Sequence, residues 1–180
     1  MNPFESGSRK VIPSVLVYLR KEDQILMIHR GDDRLSDIHQ GKWNGLGGKC
    51  ELNESPLEAA RREVKEESGL DLQFEQFQPL GVLQFPNFKA HKSEDWIVFV
   101  FSGKVLDGQL SMLMTKTAEG TLHWVDQQSL LSLNLWEGDR HFIPWVLKEK
   151  PFIGTFWYQE KNLDRYWLMP FNYLESLAQS

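Results

Sequence analysis

Cys50 is the only cysteine in the chain, and a lone thiol cannot close an internal disulfide. A reducing compartment is therefore expected, with the cytoplasm as the default. No run of 18 apolar residues occurs, so there is no candidate membrane-spanning helix. The first ten residues, MNPFESGSRK, lack the apolar stretch of a secretory signal. Positive charge is also in short supply: 20 Lys and Arg against 25 Asp and Glu leave a net −5 at pH 7. That balance argues against a nucleic-acid polymer as partner, and a phosphorylated substrate would need local cations or a metal. Phosphate loops of the GxGxxG and GxxxxGK[ST] kinds are absent, which leaves dinucleotide-fold and P-loop readings unsupported. The five histidines show no ligand spacing such as HxxxH. Cys50 has no nearby histidine motif and reads as a packing residue rather than a nucleophile. No Ser/Gly-rich linker and no repeat divides the 180 residues, so one domain spanning 1–180, with its core at about 10–170, is expected, as a monomer.

What the chain does contain is an alternation of β-rich runs with two helical patterns. Residues 11–19 (VIPSVLVYL) and 24–29 (QILMIH) flank a short turn and predict a hairpin. Residues 31–42 are polar and predict a loop, and WNGLGGK at 43–49 is glycine-rich enough to predict tight turns. Further strands are expected at 80–85, 97–105 and 121–125, a helix over 139–150, and a closing hairpin from 152–158 and 165–169. This order predicts an α/β sandwich with a mixed sheet rather than a doubly wound parallel one.

The most informative stretch is GKCELNESPLEAARREVKEESGL, residues 48–70. Ser55 predicts an N-cap, Pro56 the first helical position, Glu58 the partner of a capping box, and Gly69 the stop. Leu57, Ala60 and Val64 form an apolar stripe. Glu63, Glu66 and Glu67 fall on an adjoining face, where three like charges repel unless a multivalent cation joins them. Carboxylate oxygens suit Mg2+, with Mn2+ as its substitute. Glu63 and Glu67, one turn apart, are the expected metal ligands, and Glu66 is expected to bind a second ion or orient water. Any of the three can act as base. Arg62 is expected to orient a glutamate or to grip Glu54 by a bidentate pair.

From Gly48 the pattern is glycine, five residues, Glu54, seven residues, then Arg62-Glu63-Val64-Lys65-Glu66-Glu67-Ser68-Gly69-Leu70. This resembles the Nudix box, G-x5-E-x7-R-E-U-x-E-E-x-G-U, at every defined position. The likeness extends over about residues 10–170, through GKWNGLGGK, AEGTLHWV and LWEGDRHFIPWVLKEKPFIGTFWY, toward MutT-like members that hydrolyse oxidised purine nucleoside triphosphates such as 8-oxo-dGTP. It implies the Nudix α/β/α sandwich, Mg2+ dependence, and release of a nucleoside monophosphate and pyrophosphate. It also implies a carbonyl ligand at Gly47, a late-arriving acidic ligand at Glu119, and a basic residue toward substrate at Arg30, with Lys49 a weaker phosphate candidate. Asn44 offers donor and acceptor together to a purine edge, Trp136 a stacking surface, and Asp139 a polar contact to the base. The branch pattern has two adjacent aspartates where this chain has Gly138-Asp139, and a tryptophan where it has Phe142, so base preference is left open. ADP-ribose, nucleotide sugars, dinucleoside polyphosphates and capped RNA share the same diphosphate. A non-catalytic nucleotide-sensing module is the third reading, and the retained glutamates argue against it.

Overall fold

Alternation of side chains along the first strand gives the sheet two apolar faces. The computed structural model describes residues 9–31 and 40–171. In β1 (Lys10–Lys21), Val15, Val17 and Leu19 point to one core, while Leu16 and Tyr18 point to the other. β2 (Gln24–Arg30) repeats the pattern, with Leu26 and Ile28 on the first side and Ile25 and Met27 on the second. The period of two in a strand makes this division possible. The two strands pair antiparallel through a two-residue turn, with Lys21 opposite Gln24, as the sequence predicts.

β3 (Trp43–Asn44), β4 (Phe77–Lys89), β5 (Glu94–Lys104), β6 (Gly120–Asp126), β7 (Phe152–Gln159) and β8 (Asn162–Pro170) complete the sheet. Its order is β3-β2-β1-β5-β4-β7-β8, and β6 also pairs with β2. β1–β5 and β4–β7 are parallel and the other pairs antiparallel, so the sheet is mixed. The first helix, α1 (Pro56–Ser68), covers one face through Ala59, Ala60 and Val64. The second, α2 (Glu137–Leu147), covers the other through Phe142, Ile143 and Val146. The result is the expected α/β/α sandwich. Cys50 packs against the α1-side core, and burial pushes its thiol up, away from the thiolate.

The ends of α1 follow the sequence closely. Ser55 Oγ accepts from the Glu58 N–H, and Glu58 returns a bond to the Ser55 N–H at 2.8 Å. Gly69 takes the left-handed conformation at φ 77° and its N–H bonds Lys65 O. The second helix starts at Trp136, its N-cap, rather than at Asp139. Tyr158 Oη accepts from the Gly138 N–H at 2.8 Å, and Arg20 Nη2 donates to Val146 O and Leu147 O, each at 2.8 Å. The helix is thereby tied at both ends to strands of the sheet.

One expectation is corrected. WNGLGGK is not a set of tight turns. Trp43–Asn44 pairs with Ile28 and His29, and the segment then runs extended along β1, with Leu46 bridging Val17 and Lys49 bridging Ser14. Its glycines permit close approach instead: a Cβ on Gly47 would collide with the Val15 carbonyl, and one on Gly45 would lie 2.9 Å from the Val17 carbonyl. Most of the predicted loop at 31–42 lies outside the described residues.

Candidate active site

Burial sorts the three glutamates of α1 in a way that spacing does not. Glu67 is 6% exposed, and its Oε2 accepts from the Gly47 N–H at 2.7 Å. The side chain of Glu63 is 14% exposed and lies directly against the backbone of Gly48, where any Cβ would strike its carboxylate. Glu66 points outward, with 60% of its side chain exposed. The three are therefore not equivalent: two face the glycine segment and one faces solvent. Burial raises the pKa of Glu67 well above the ordinary carboxylate value, with Glu119 and Glu63 adding repulsion and the Gly47 N–H opposing. Burial also raises that of Glu63, against the pull of Arg62.

Arg62 binds on several sides at once. Its Nε and Nη2 form the bidentate pair with Glu54 at 2.8 and 2.9 Å. Nη1 donates to Glu63 Oε1 at 2.9 Å and Glu66 Oε2 at 3.2 Å, and Nη2 also reaches Lys49 O at 3.0 Å. Arg62 thus touches Glu54 and two glutamates of α1 at once. The guanidinium holds the Glu54 carboxyl below the usual range. Across the cluster, Arg30 Nη1 lies 2.5 Å from Glu119 Oε2. That contact is an ion pair without an aligned hydrogen bond, since both Glu119 Oε2 and Arg30 Nε are buried with no hydrogen-bond partner.

Among the described residues no three acidic, histidine or cysteine side chains already converge as a ready-made metal cage. Glu63 is drawn to Arg62 and Glu119 to Arg30 instead. The set nonetheless fits a hard divalent ion. It offers buried carboxylates that repel one another, an incompletely satisfied oxygen on Glu119, and a glycine backbone that no side chain screens.

A cavity of about 150 Å³ opens on the other side of the glycine segment. Gly47 and Gly48 form part of its wall, so it adjoins the glutamates directly. Asn44, Trp136 and Asp139, separated by up to 95 residues in the chain, all line it, and Arg30 lies at its edge. Asn44 Oδ1 is buried with no hydrogen-bond partner. Asp139 is buried, and burial pushes its pKa up to about 7, opposed by Lys42 and Arg140. Glu137, its neighbour in sequence, is exposed and does not line the cavity. Lys49 is not part of the lining; its Nζ sits 5.3 Å above the Trp96 ring. Trp43 packs against His29 and His123 instead.

The sequence reading missed the aromatic walls. Phe85 and Phe88 of β4 and Trp96 of β5 line the cavity together with Tyr158 of β7. Strand periodicity marks such residues as one face of a strand, but not as the face shared with α2. Of the five tryptophans beyond residue 120, only Trp136 reaches this cavity.

A family model described as the NUDIX domain matches residues 10–146. The chain belongs to the Nudix family. This Nudix hydrolase is 30% identical over 122 residues to the oxidized purine nucleoside triphosphate hydrolase of Mus musculus, covering 68% of this chain and 73% of that protein. Its likeness to the Danio rerio protein of the same name is 31% over 119 residues, covering 66% and 71%. The crystal structure of a mutator MutT protein from Bacillus halodurans matches with a TM-score of 0.73 and 26% identity, covering 87% of this chain and 97% of that one. The enzyme is a Nudix-type pyrophosphatase acting on a nucleoside-diphosphate-linked substrate, in a family that uses divalent metal ions. None of its described helices is long and apolar enough to cross a membrane.

Proposed function

We propose that this Nudix hydrolase converts oxidised purine nucleoside triphosphates, such as 8-oxo-dGTP, to the nucleoside monophosphate and pyrophosphate, and so clears damaged precursors of DNA synthesis. The observation that carries this reading is the continuity of the aromatic cavity with the glutamate cluster across Gly47–Gly48. A void of this size holds a single aromatic ring when closed, and its open side leaves room for a larger ring system with its sugar. Asn44 brings an unsatisfied amide oxygen and Asp139 a carboxyl that is about half protonated near neutrality, so together they can accept from and donate to a polar purine edge. Trp136 supplies a flat surface beside them. The relatives from mouse and zebrafish, by their names, act on the same class.

Glu63, Glu67, Glu119 and the Gly47 carbonyl would hold Mg2+, with Glu66 at the solvent side placed for a second ion. When bound, the metal offsets phosphate charge and acidifies a water. Arg62 keeps Glu63 and Glu54 in register with the loop, and Gly47 fixes the orientation of Glu67 through its N–H. Burial and the neighbouring carboxylates give Glu67 a high proton affinity in the absence of a cation, and a bound divalent ion would favour its charged form. Arg30 and Lys49 are assigned to the phosphates. The reading includes a single-domain monomer working in the cytoplasm.

The test is a panel with Mg2+ that compares kcat/KM on 8-oxo-dGTP, dGTP, ADP-ribose, a nucleotide sugar, a dinucleoside polyphosphate and capped RNA. Oxidised purine triphosphates are expected to lead by at least about tenfold, the discrimination that one well-placed polar contact provides. Absence of pyrophosphate release from every purine triphosphate would end the proposal.

A further inference from the structure

Asn44 and Asp139 can read one base only if the segments that carry them keep a fixed separation. Asn44 ends β3, and Asp139 lies in the first turn of α2. The sheet links them only indirectly, because β3 pairs with β2 while α2 packs on the sheet face. Four hydrogen bonds close the gap between residues 41–43 and 134–135. The Trp43 N–H donates to Asn134 O at 3.2 Å, and Asn134 Nδ2 donates to Gly41 O at 3.0 Å. Lys42 Nζ donates to Asn134 Oδ1 at 3.0 Å and to Leu135 O at 2.9 Å. Each side thus sends a side chain to the backbone of the other. Each side is also braced by itself. The Arg30 N–H donates to Lys42 O at 2.9 Å and the Gly41 N–H to Arg30 O at 3.0 Å. Arg140 donates to Leu131 O and, at 2.8 Å, to Leu133 O. What the four bonds fix is therefore the position of one braced segment against the other.

Lys42 itself is half-buried and does not line the cavity. A base there meets Asn44, Trp136 and Asp139, and Lys42 acts through what it holds. Its ammonium also lies 5.3 Å from the centroid of the Trp136 ring, over the π face. Its charge reaches Asp139, where with Arg140 it opposes the upward push of burial. Tyr18 and Tyr158 face the same carboxyl as neutral phenols, whose own pKa values it raises. A lysine suits this position because one ammonium offers three donors. A neutral side chain of similar length would leave Asn134 Oδ1 and Leu135 O without this partner.

We infer that Lys42 and Asn134 form a clasp that sets the width of the base pocket: by tying residues 41–43 to the segment before α2, they hold Asn44, Trp136 and Asp139 at the spacing one purine edge spans. They are positioning residues for substrate selection. The inference rests on the cavity being the base site. It extends that reading from which groups meet the base to what keeps those groups in register.

Steady-state kinetics on 8-oxo-dGTP, calorimetry of 8-oxo-dGMP and of inorganic pyrophosphate, and amide hydrogen exchange test it on the full chain. Lys42→Met keeps the aliphatic stem and removes the donor. It is expected to raise the KM for 8-oxo-dGTP and the Kd of 8-oxo-dGMP by roughly tenfold, the effect of about two lost hydrogen bonds, with a far smaller change in kcat. Pyrophosphate carries no base and should bind as before. Lys42→Arg should recover most of the affinity, since a guanidinium can donate to both oxygens. Asn134→Ala removes the clasp from its other side and should show the same split between KM and kcat. An unaltered KM in both Lys42→Met and Asn134→Ala, or equal losses on 8-oxo-dGMP and pyrophosphate, would overturn the clasp. If wild-type protein turns over no oxidised purine triphosphate, the base assignment fails by itself. Exchange of the Trp43 N–H, which bridges to Asn134, then decides the clasp. A rate at least about tenfold faster in Lys42→Met sustains it, and an unchanged rate sinks it.

Discussion

Asp139 shows how one buried side chain couples recognition to stability. Its carboxyl is pushed up to about 7 by burial, so the folded state binds a proton that the unfolded chain gives up near the ordinary value of 3.8. Below pH 4 both states are protonated and the group is neutral in the balance. Between pH 4 and 7 the unfolded chain ionises first, so stability falls as pH rises, and the cost is complete above about pH 7. The full shift corresponds to on the order of 4 kcal/mol at most. Asp139→Asn should therefore flatten the loss of stability between pH 5 and pH 8. Urea unfolding of both proteins at those two pH values checks this, and parallel slopes would show that the carboxyl is not held protonated.

Among the elements, the glycine segment at 43–49 matters as much as the glutamate helix. It runs so close to β1 that Gly47, at φ 146°, has no room for a side chain against the Val15 carbonyl. The same residue donates to Glu67. Gly47→Ala is expected to cost roughly 1–3 kcal/mol from backbone strain alone, and more from the overlap. The displaced N–H would also free Glu67 to swing. Thermal unfolding should show the loss of stability, and turnover should fall further than Tm predicts. An active enzyme with an unchanged Tm would contradict the close-packed role of this segment. The sequence announces the helix clearly, because caps and stripes are local: Ser55, Glu58 and Gly69 act within a turn of their own backbone. It announces the glycine segment poorly. Glycines signal freedom from Cβ, and the same freedom serves a tight turn or a close pass along a neighbouring strand.

At the scale of the whole molecule, the site is assembled from α1, the glycine segment and the loop before β6, which come together only through the sheet. A divalent ion bound by all three would tie them to one another. At a free metal concentration 100 times Kd, the linkage adds about 2.7 kcal/mol, or roughly 5–10 °C in Tm for a chain of this size. Mg2+ should raise Tm by that order in the wild type and much less in Glu67→Gln, and chelation should abolish turnover. Glu67→Gln should also lower kcat by orders of magnitude while the protein stays folded. Wild-type turnover in that variant would remove Glu67 from the site.

By itself the sequence determined the reaction class and the helix that carries it, because the i, i+4 spacing of Glu63 and Glu67, the caps of α1 and the reach of Arg62 to Glu54 are short-range properties of the backbone. It also marked Asn44, Trp136 and Asp139 one by one. Only the tertiary structure decided that these three share a cavity, that Asp139 rather than Glu137 faces it, and that Glu66 faces solvent while its neighbour Glu67 is buried. Only it brought Lys49 and Lys89 together over the Trp96 ring. The physical reason is strand order. Parallel pairing of β1 with β5 and the packing of α2 on the second face join residues that lie dozens of positions apart, and no local periodicity encodes which distant strand will be the neighbour.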